Sequence, residues 1–227
     1  MGWLEFVLSL IVFMASHRIP ASPRVRAFAA GLLGRRGYAI MFSVVSTALL
    51  FWVIFAAGRA PFVLLWDQEI WHRWAVNVVM PLALLLGTYG VLAPNPFAFE
   101  GVEAGFAPEH PGIAGVTRQP LLWAMVLWAM VHLLANGDLA HVILFGLFLL
   151  FGLVGMRIIE RRKRRIMGAA RWAELTAHTG LVPLAALLSG RWHPARWPSL
   201  WRLVAWLIIW VGLWHLHLAV IGVSPAP

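Results

Sequence analysis

The 227-residue sequence contains no cysteine, which excludes disulfides, thiolate nucleophiles and Cys-ligated zinc or iron–sulfur centres together. Charge is also scarce. Only 12% of residues are charged, against about a quarter in soluble globular domains. There is no Gly-rich phosphate loop, no G-x-S-x-G elbow and no pair of carboxylates inside an apolar run. Glu5 and Asp138 read as the acids within or next to such runs, both near the same end of the predicted spans. No strand-period segment, internal repeat or low-complexity linker stands out, so residues 1–227 read as a single domain. Hydrophobic residues instead make up 61% of the chain and the mean hydropathy is +0.80. These values describe an integral membrane protein. The 14 tryptophans suit membrane-interface belts and bundle packing.

Apolar runs fall near residues 2–17, 38–58, 75–92, 119–136, 139–157 and 200–222. A transmembrane helix needs about 20 mostly apolar residues, so most qualify, with the first and fourth on the short side. A further run, 181–188, is too short to span and contains Pro183. It reads as a re-entrant or interfacial segment. The fold class expected is therefore all-α, a polytopic bundle of six spans plus that short segment. The Pro/Gly-rich stretch 94–120 reads as a loop, Asn136-Gly137-Asp138 as a tight turn between the fourth and fifth runs. Residues 1–15 lack a basic n-region and a cleavage site, and read as a retained helix.

Basic residues set the orientation. Arg18, Arg24, Arg26, Arg35 and Arg36 follow the first run, and Arg118 lies between the third and fourth. Arg157, Arg161, Arg162, Lys163, Arg164, Arg165 and Arg171 end or follow the fifth, and Arg191, Arg196 and Arg202 precede or open the sixth. With both termini outside, all but Arg59 and Arg73 of the 18 basic residues face the cytoplasm, as the positive-inside rule requires. The run 161–165 also has the composition of a nucleic-acid or anionic-lipid patch. The orientation signal accounts for it more simply, and the pI near 11.6 then speaks of topology, not of nucleic acid.

His132 is the residue of most interest. It lies well inside the fourth run, and an ionisable group at membrane depth marks a functional site by default. Imidazole is also a common haem-iron ligand. His132 sits about 20 Å along a helix from Arg118, with Trp128, Met125 and Leu121 on its face as an apolar wall. His17, toward the inner end of the first run, is a second candidate, and a haem can be gripped between the two. Spacing equally allows a buried imidazole bonded to a serine or a carbonyl. Of the nine histidines, His72, His110, His141, His178 and His193 fall near predicted interfaces or loops, where capping or solvation suffices. His217 lies near the face of Trp206, Trp210 and Trp214 and can line a pocket; that stripe reads first as helix packing. Ser43 and Ser46 have no base beside them in sequence.

An ordered set of motifs covers nearly the whole chain. It runs from Ser16-His17 and its Pro- and Arg-rich turn to Leu33-Gly34-Arg35-Arg36-Gly37-Tyr38, then Pro94-Asn95-Pro96 and Gly115-Val116-Thr117-Arg118-Gln119-Pro120. Leu127-Trp128-Ala129 and His132-Leu133-Leu134-Ala135-Asn136-Gly137-Asp138 follow, then Val182-Pro183-Leu184-Ala185-Ala186 with Gly190-Arg191, and the tail from His217 to Gly222-Val223-Ser224-Pro225. In this set the chain resembles the NnrU family of bacterial membrane proteins, relatives of the plastid 15-cis-zeta-carotene isomerase. The resemblance implies a b-type haem with its two ligand histidines, by motif, at His17 and His132. It implies either a redox role linked to nitric oxide and denitrification, or a cis–trans isomerisation of an apolar polyene. Arg118 and Arg191 are then candidates to neutralise haem propionates. One departure matters: the family box usually reads Thr-Arg-His-Pro, and this chain has Gln119, which takes up no proton near neutral pH. A thiol ligand sometimes proposed three residues before the helix histidine is replaced by Ala129.

Two other classes follow from the same residues. One is a non-enzymatic membrane factor that helps assemble denitrification enzymes. The other is a lipid methyltransferase similar to the isoprenylcysteine enzymes, with Arg118, His178 and Arg191 at an S-adenosylmethionine pocket. The expected setting is the bacterial inner membrane, multi-pass, both termini periplasmic, with the lipid bilayer as partner.

Overall fold

A computed structural model describes residues 2–18, 22–98, 101, 103–195 and 197–227. Arg196, counted above among the basic residues, lies outside the described residues, as do the side chains of Arg18, Arg26, Arg35 and Arg36. Among the described residues the protein is helical throughout, apart from one isolated bridge between Leu64 and Asp138. Each of the six long apolar runs falls on a helix, whereas 181–188 is helical only in its second half. Four helices are long and apolar enough to cross a membrane: Gly37–Arg59, Ile70–Gly90, Leu139–Met167 and Leu200–Ile221. Two apolar helices are shorter, Gly2–His17 and Pro120–Ala135. At about 1.5 Å per residue they reach roughly 24 Å, below the ~30 Å hydrocarbon core.

The chain divides into two compact units, Met1–Asp67 with Asn136–Leu144, and Gln68–Ala135 with Phe145–Pro227. In the first, α1 (Gly2–Arg18) packs on α2 (Pro23–Arg59). Phe6, Ser9 and Phe13 form the buried stripe of α1, at helical spacing. On α2 the buried residues are Val53, Ala56 and Ala57, small enough for close approach. The pair is antiparallel: Glu5 accepts from Trp52 Nε1 (3.3 Å) and pairs with Arg59 (2.5 Å) at the far end of α2. Gly34 breaks α2 at φ 70°, ψ 165°, a conformation open chiefly to glycine. The long apolar segment starts just beyond it. The Asn136-Gly137-Asp138 turn is held by Leu65 N–H donating to Gly137 O (2.7 Å) and Leu139 N–H to Val63 O (2.9 Å).

In the second unit α3 (Ile70–Gly90) packs on α5 (Pro120–Ala135) and on α9 (Leu200–Ile221). Trp206 Nε1 donates to Pro81 O (2.8 Å) and Trp214 Nε1 to Asn77 Oδ1 (3.1 Å). That tryptophan stripe is helix packing, as its spacing suggested. α9 has no buried residue, and its exposed apolar surface suits lipid. The fifth run continues as α6 (Leu139–Met167) through the basic cluster, so 161–165 is helical rather than loop.

The described residues of 94–120 run mostly as turns and coil, as expected of a loop, with one short helix among them. With α4 (Ile113–Val116), α7 (Ala169–Thr176) and α8 (Ala185–Leu188) they build a small core of Phe97, Ala114 and Leu175, flanked by Phe106, Met167 and Trp172. Phe97 meets Phe106 and Trp172 edge-on at 5.4 and 5.5 Å, a favoured aromatic geometry. Arg171 on α7 pairs with Glu103 and Glu174, which raise its pKa in that order of effect.

Candidate functional site

The two candidate ligand histidines belong to different units, and each has the same local arrangement. On α1 His17 is half-buried, and its Nδ1 donates to the carbonyl of Phe13 one turn back (2.8 Å). Its ring lies 4.3 Å from that of Phe13 and 5.4 Å from that of Phe42 on α2. On α5 His132 is half-buried, and its Nδ1 donates to the carbonyl of Trp128 (2.9 Å). Its ring lies 5.6 Å from Trp128 and 5.2 Å from Phe145. A carbonyl only accepts, so Nδ1 is the donor in both, which in the neutral ring leaves the lone pair on Nε2. This is the orientation that a metal-ligating imidazole takes from its outer-shell hydrogen bond.

The residues around His132 form a packed wall. Trp128 meets Phe145 (5.2 Å) and Phe148 (5.5 Å) of α6 edge-on. Met125 and Val126 crowd Gly152, where a Cβ would lie 3.1 Å from Met125 Cε and 2.5 Å from Val126 Cγ2. Leu121 is exposed. His217 donates from Nδ1 to Val223 O (2.7 Å), which ties the chain's tail back to α9. His72 and His141 sit in helix-start caps, His72 with Glu69 and His141 with Asp138 (Nδ1···Oδ2 2.7 Å). Among the described residues no three His, Asp or Glu side chains gather as a metal-ligand group. A haem asks the protein for fewer, because the porphyrin supplies four ligands itself.

Three motif segments distant in sequence meet in one polar knot of the second unit. Arg118 makes a two-pronged pair with Glu160, Nε to Oε1 at 2.5 Å and Nη2 to Oε2 at 3.0 Å. Its Nη1 donates to Thr179 Oγ1 (3.1 Å), and the guanidinium lies 5.6 Å from the Trp172 ring centre. Side-chain exposures of 13% and 16% leave this pair largely dry. Around it, Thr117 Oγ1 donates to Leu181 O (2.7 Å), Asn95 Nδ2 to Arg118 O (2.9 Å) and Leu184 N–H to Val116 O (2.9 Å). Gln119, buried, donates from Nε2 to Phe97 O (2.9 Å). An imidazole N–H can make that same bond, so glutamine replaces histidine here without losing the donor. Gly115 lies against Trp192, where a Cβ would fall 2.4 Å from the indole.

Glu160 corrects the sequence reading, which placed acids in or beside a span only at Glu5 and Asp138. It is the one acid of α6, hidden among arginines, and that isolation was the signal. Arg118 therefore already has a carboxylate partner. Arg191 is exposed, with Nε on Ser189 Oγ (3.0 Å), and its carbonyl accepts from His178 Nδ1 (2.5 Å). His178 Nε2 also lies 3.2 Å from Glu109.

Long apolar helices with lipid-suited surfaces and a polar knot at their ends define an all-helical membrane protein. The family follows from comparison. The model of the NnrU protein family matches residues 5–225, and the chain belongs to that family. No curated protein and no solved structure matches it.

Proposed function

We propose that this NnrU-family protein is a six-span inner-membrane haem protein, in which His17 and His132 would hold a b-type haem. The observation that carries the reading is a shared bond: each imidazole donates from Nδ1 to the carbonyl one turn back on its own helix, the bond that sets Nε2 as the ligand atom of a neutral ring. Aromatic side chains flank both rings, giving the low-dielectric surroundings that tune a haem potential. The group itself supplies one-electron redox chemistry, in nitric-oxide-linked electron transfer or in isomerising an apolar polyene. The chain's residues orient the ligands and exclude water. Arg191, exposed, is the cation best suited to meet a propionate, since Arg118 is engaged by Glu160. Gln119 carries no proton in this scheme.

Packing supports the six-span reading alongside charge. Each short apolar helix lies along a long one, α1 on α2 and α5 on α3. A short helix is accommodated by local bilayer thinning at modest cost. The distribution of basic residues supports periplasmic placement of both termini. The test is haem quantification by the pyridine haemochrome assay on protein purified in mild detergent from haem-replete cells. One haem per chain is expected; a colourless preparation overturns the reading and favours an assembly factor or a methyltransferase.

A further inference from the structure

A hollow of about 440 Å³ is lined by Arg161, Arg164 and Arg165 at the end of α6 and by Gly168 and Ala169 at the entry to α7. At 100° per residue, 161, 164 and 165 share one face of α6. Gly168, at φ 79°, turns the chain so that α7 begins beside the three guanidiniums. Arg118 and Arg171, in the same unit, are paired with Glu160, Glu103 and Glu174. Among the described residues Arg161, Arg164 and Arg165 have no such carboxylate partner. Three like charges on one helix face repel, and an anion seated among them removes that cost.

The depth of the hollow indicates which anion. Within this unit a chain of contacts links one end of each helix. Glu160 pairs with Arg118, Gly90 of α3 abuts Pro120, and Tyr89 Oη donates to Ser199 O (2.8 Å) at the start of α9. Trp197 and Trp201, at that same start, are 96% and 83% exposed. Exposed tryptophans beside an apolar helix mark the headgroup level of a bilayer. The arginine hollow therefore opens where phospholipid phosphates lie.

We propose that this hollow binds the phosphate of an anionic phospholipid headgroup, held by the paired N–H groups of the arginines. The site is independent of any haem. It also goes beyond orientation, because it demands these arginines and not merely their charge.

Native mass spectrometry of the full chain, released from nanodiscs of mixed phosphatidylglycerol and phosphatidylcholine, tests it. Retained phosphatidylglycerol is expected in preference to phosphatidylcholine. Arg161→Gln/Arg165→Gln should lower retention about 100-fold, roughly tenfold for each charge-assisted hydrogen-bonding partner removed. Arg162→Gln/Lys163→Gln, the same charge change on the opposite side of α6, should leave it within twofold. These substitutions are at the end of α6, and unchanged helical circular dichroism confirms that each variant is folded. Equal loss in the two double variants, no preference for the anionic lipid, or displacement by millimolar inorganic phosphate would each overturn the proposal.

Discussion

Removing the Glu160 side chain should destabilise the second unit far more than an exposed ion pair would. Glu160→Ala deletes two charge-assisted hydrogen bonds and leaves the Arg118 guanidinium, 13% exposed, with Thr179 and the Trp172 face. Breaking a buried pair on one side costs about 3–5 kcal/mol, because the remaining charge is left desolvated. The residual hydration of this pair points to the lower end, about 3 kcal/mol. For a protein of this size that corresponds to a fall in Tm of roughly 6–12 °C. Thermal unfolding in mild detergent, followed by far-UV circular dichroism, measures it. Arg118→Met should cost a similar amount, whereas Arg118→Met/Glu160→Ala should cost less than the sum of the two single changes, since the double variant holds no orphan charge. A Tm loss below about 2 °C, or strictly additive single and double variants, would refute a desolvated pair.

Gly115→Ala places a methyl group 2.4 Å from the Trp192 indole and should cost about 1–3 kcal/mol by overpacking, read as a lower Tm with a shifted tryptophan emission. Gln119→Leu strips the donor from the buried Phe97 carbonyl and should cost about 1–3 kcal/mol, while Gln119→His should stay near the parent Tm. Because the chain has no cysteine, single cysteines at Ser224 and Ala169 report topology with a membrane-impermeant maleimide. Labelling at Ser224 from the periplasm and protection at Ala169 are expected; the opposite pattern overturns the outside placement of the C-terminus.

The helices were legible because apolar run length and flanking charge are local properties. Gly34 and the basic turn mark where the α2 span begins, and Asn136-Gly137-Asp138 marks the turn before α6. The polar knot was not legible. Its bonds join residues 95, 118, 160 and 179, and no local period reports a contact of that sequence separation. Glu160 was obscured for a specific reason: flanked by Arg157, Arg161 and Arg162, it disappears into a count of positive charge. Gln119 was legible as a departure from the family box, but its task, a donor to a buried carbonyl, emerged only with Phe97 in place. The histidines divide similarly. Depth singled out His132, yet the proton position on its ring depends on the Trp128 carbonyl one turn back.

The measurement that bears most directly on the haem assignment is the optical spectrum of the detergent-purified protein, oxidised and then reduced, beside His17→Ala and His132→Ala. A Soret band in the parent that is lost or shifted in both variants is the predicted result. A parent spectrum without a Soret band, or one unchanged by either substitution, contradicts the assignment of His17 and His132 as ligands.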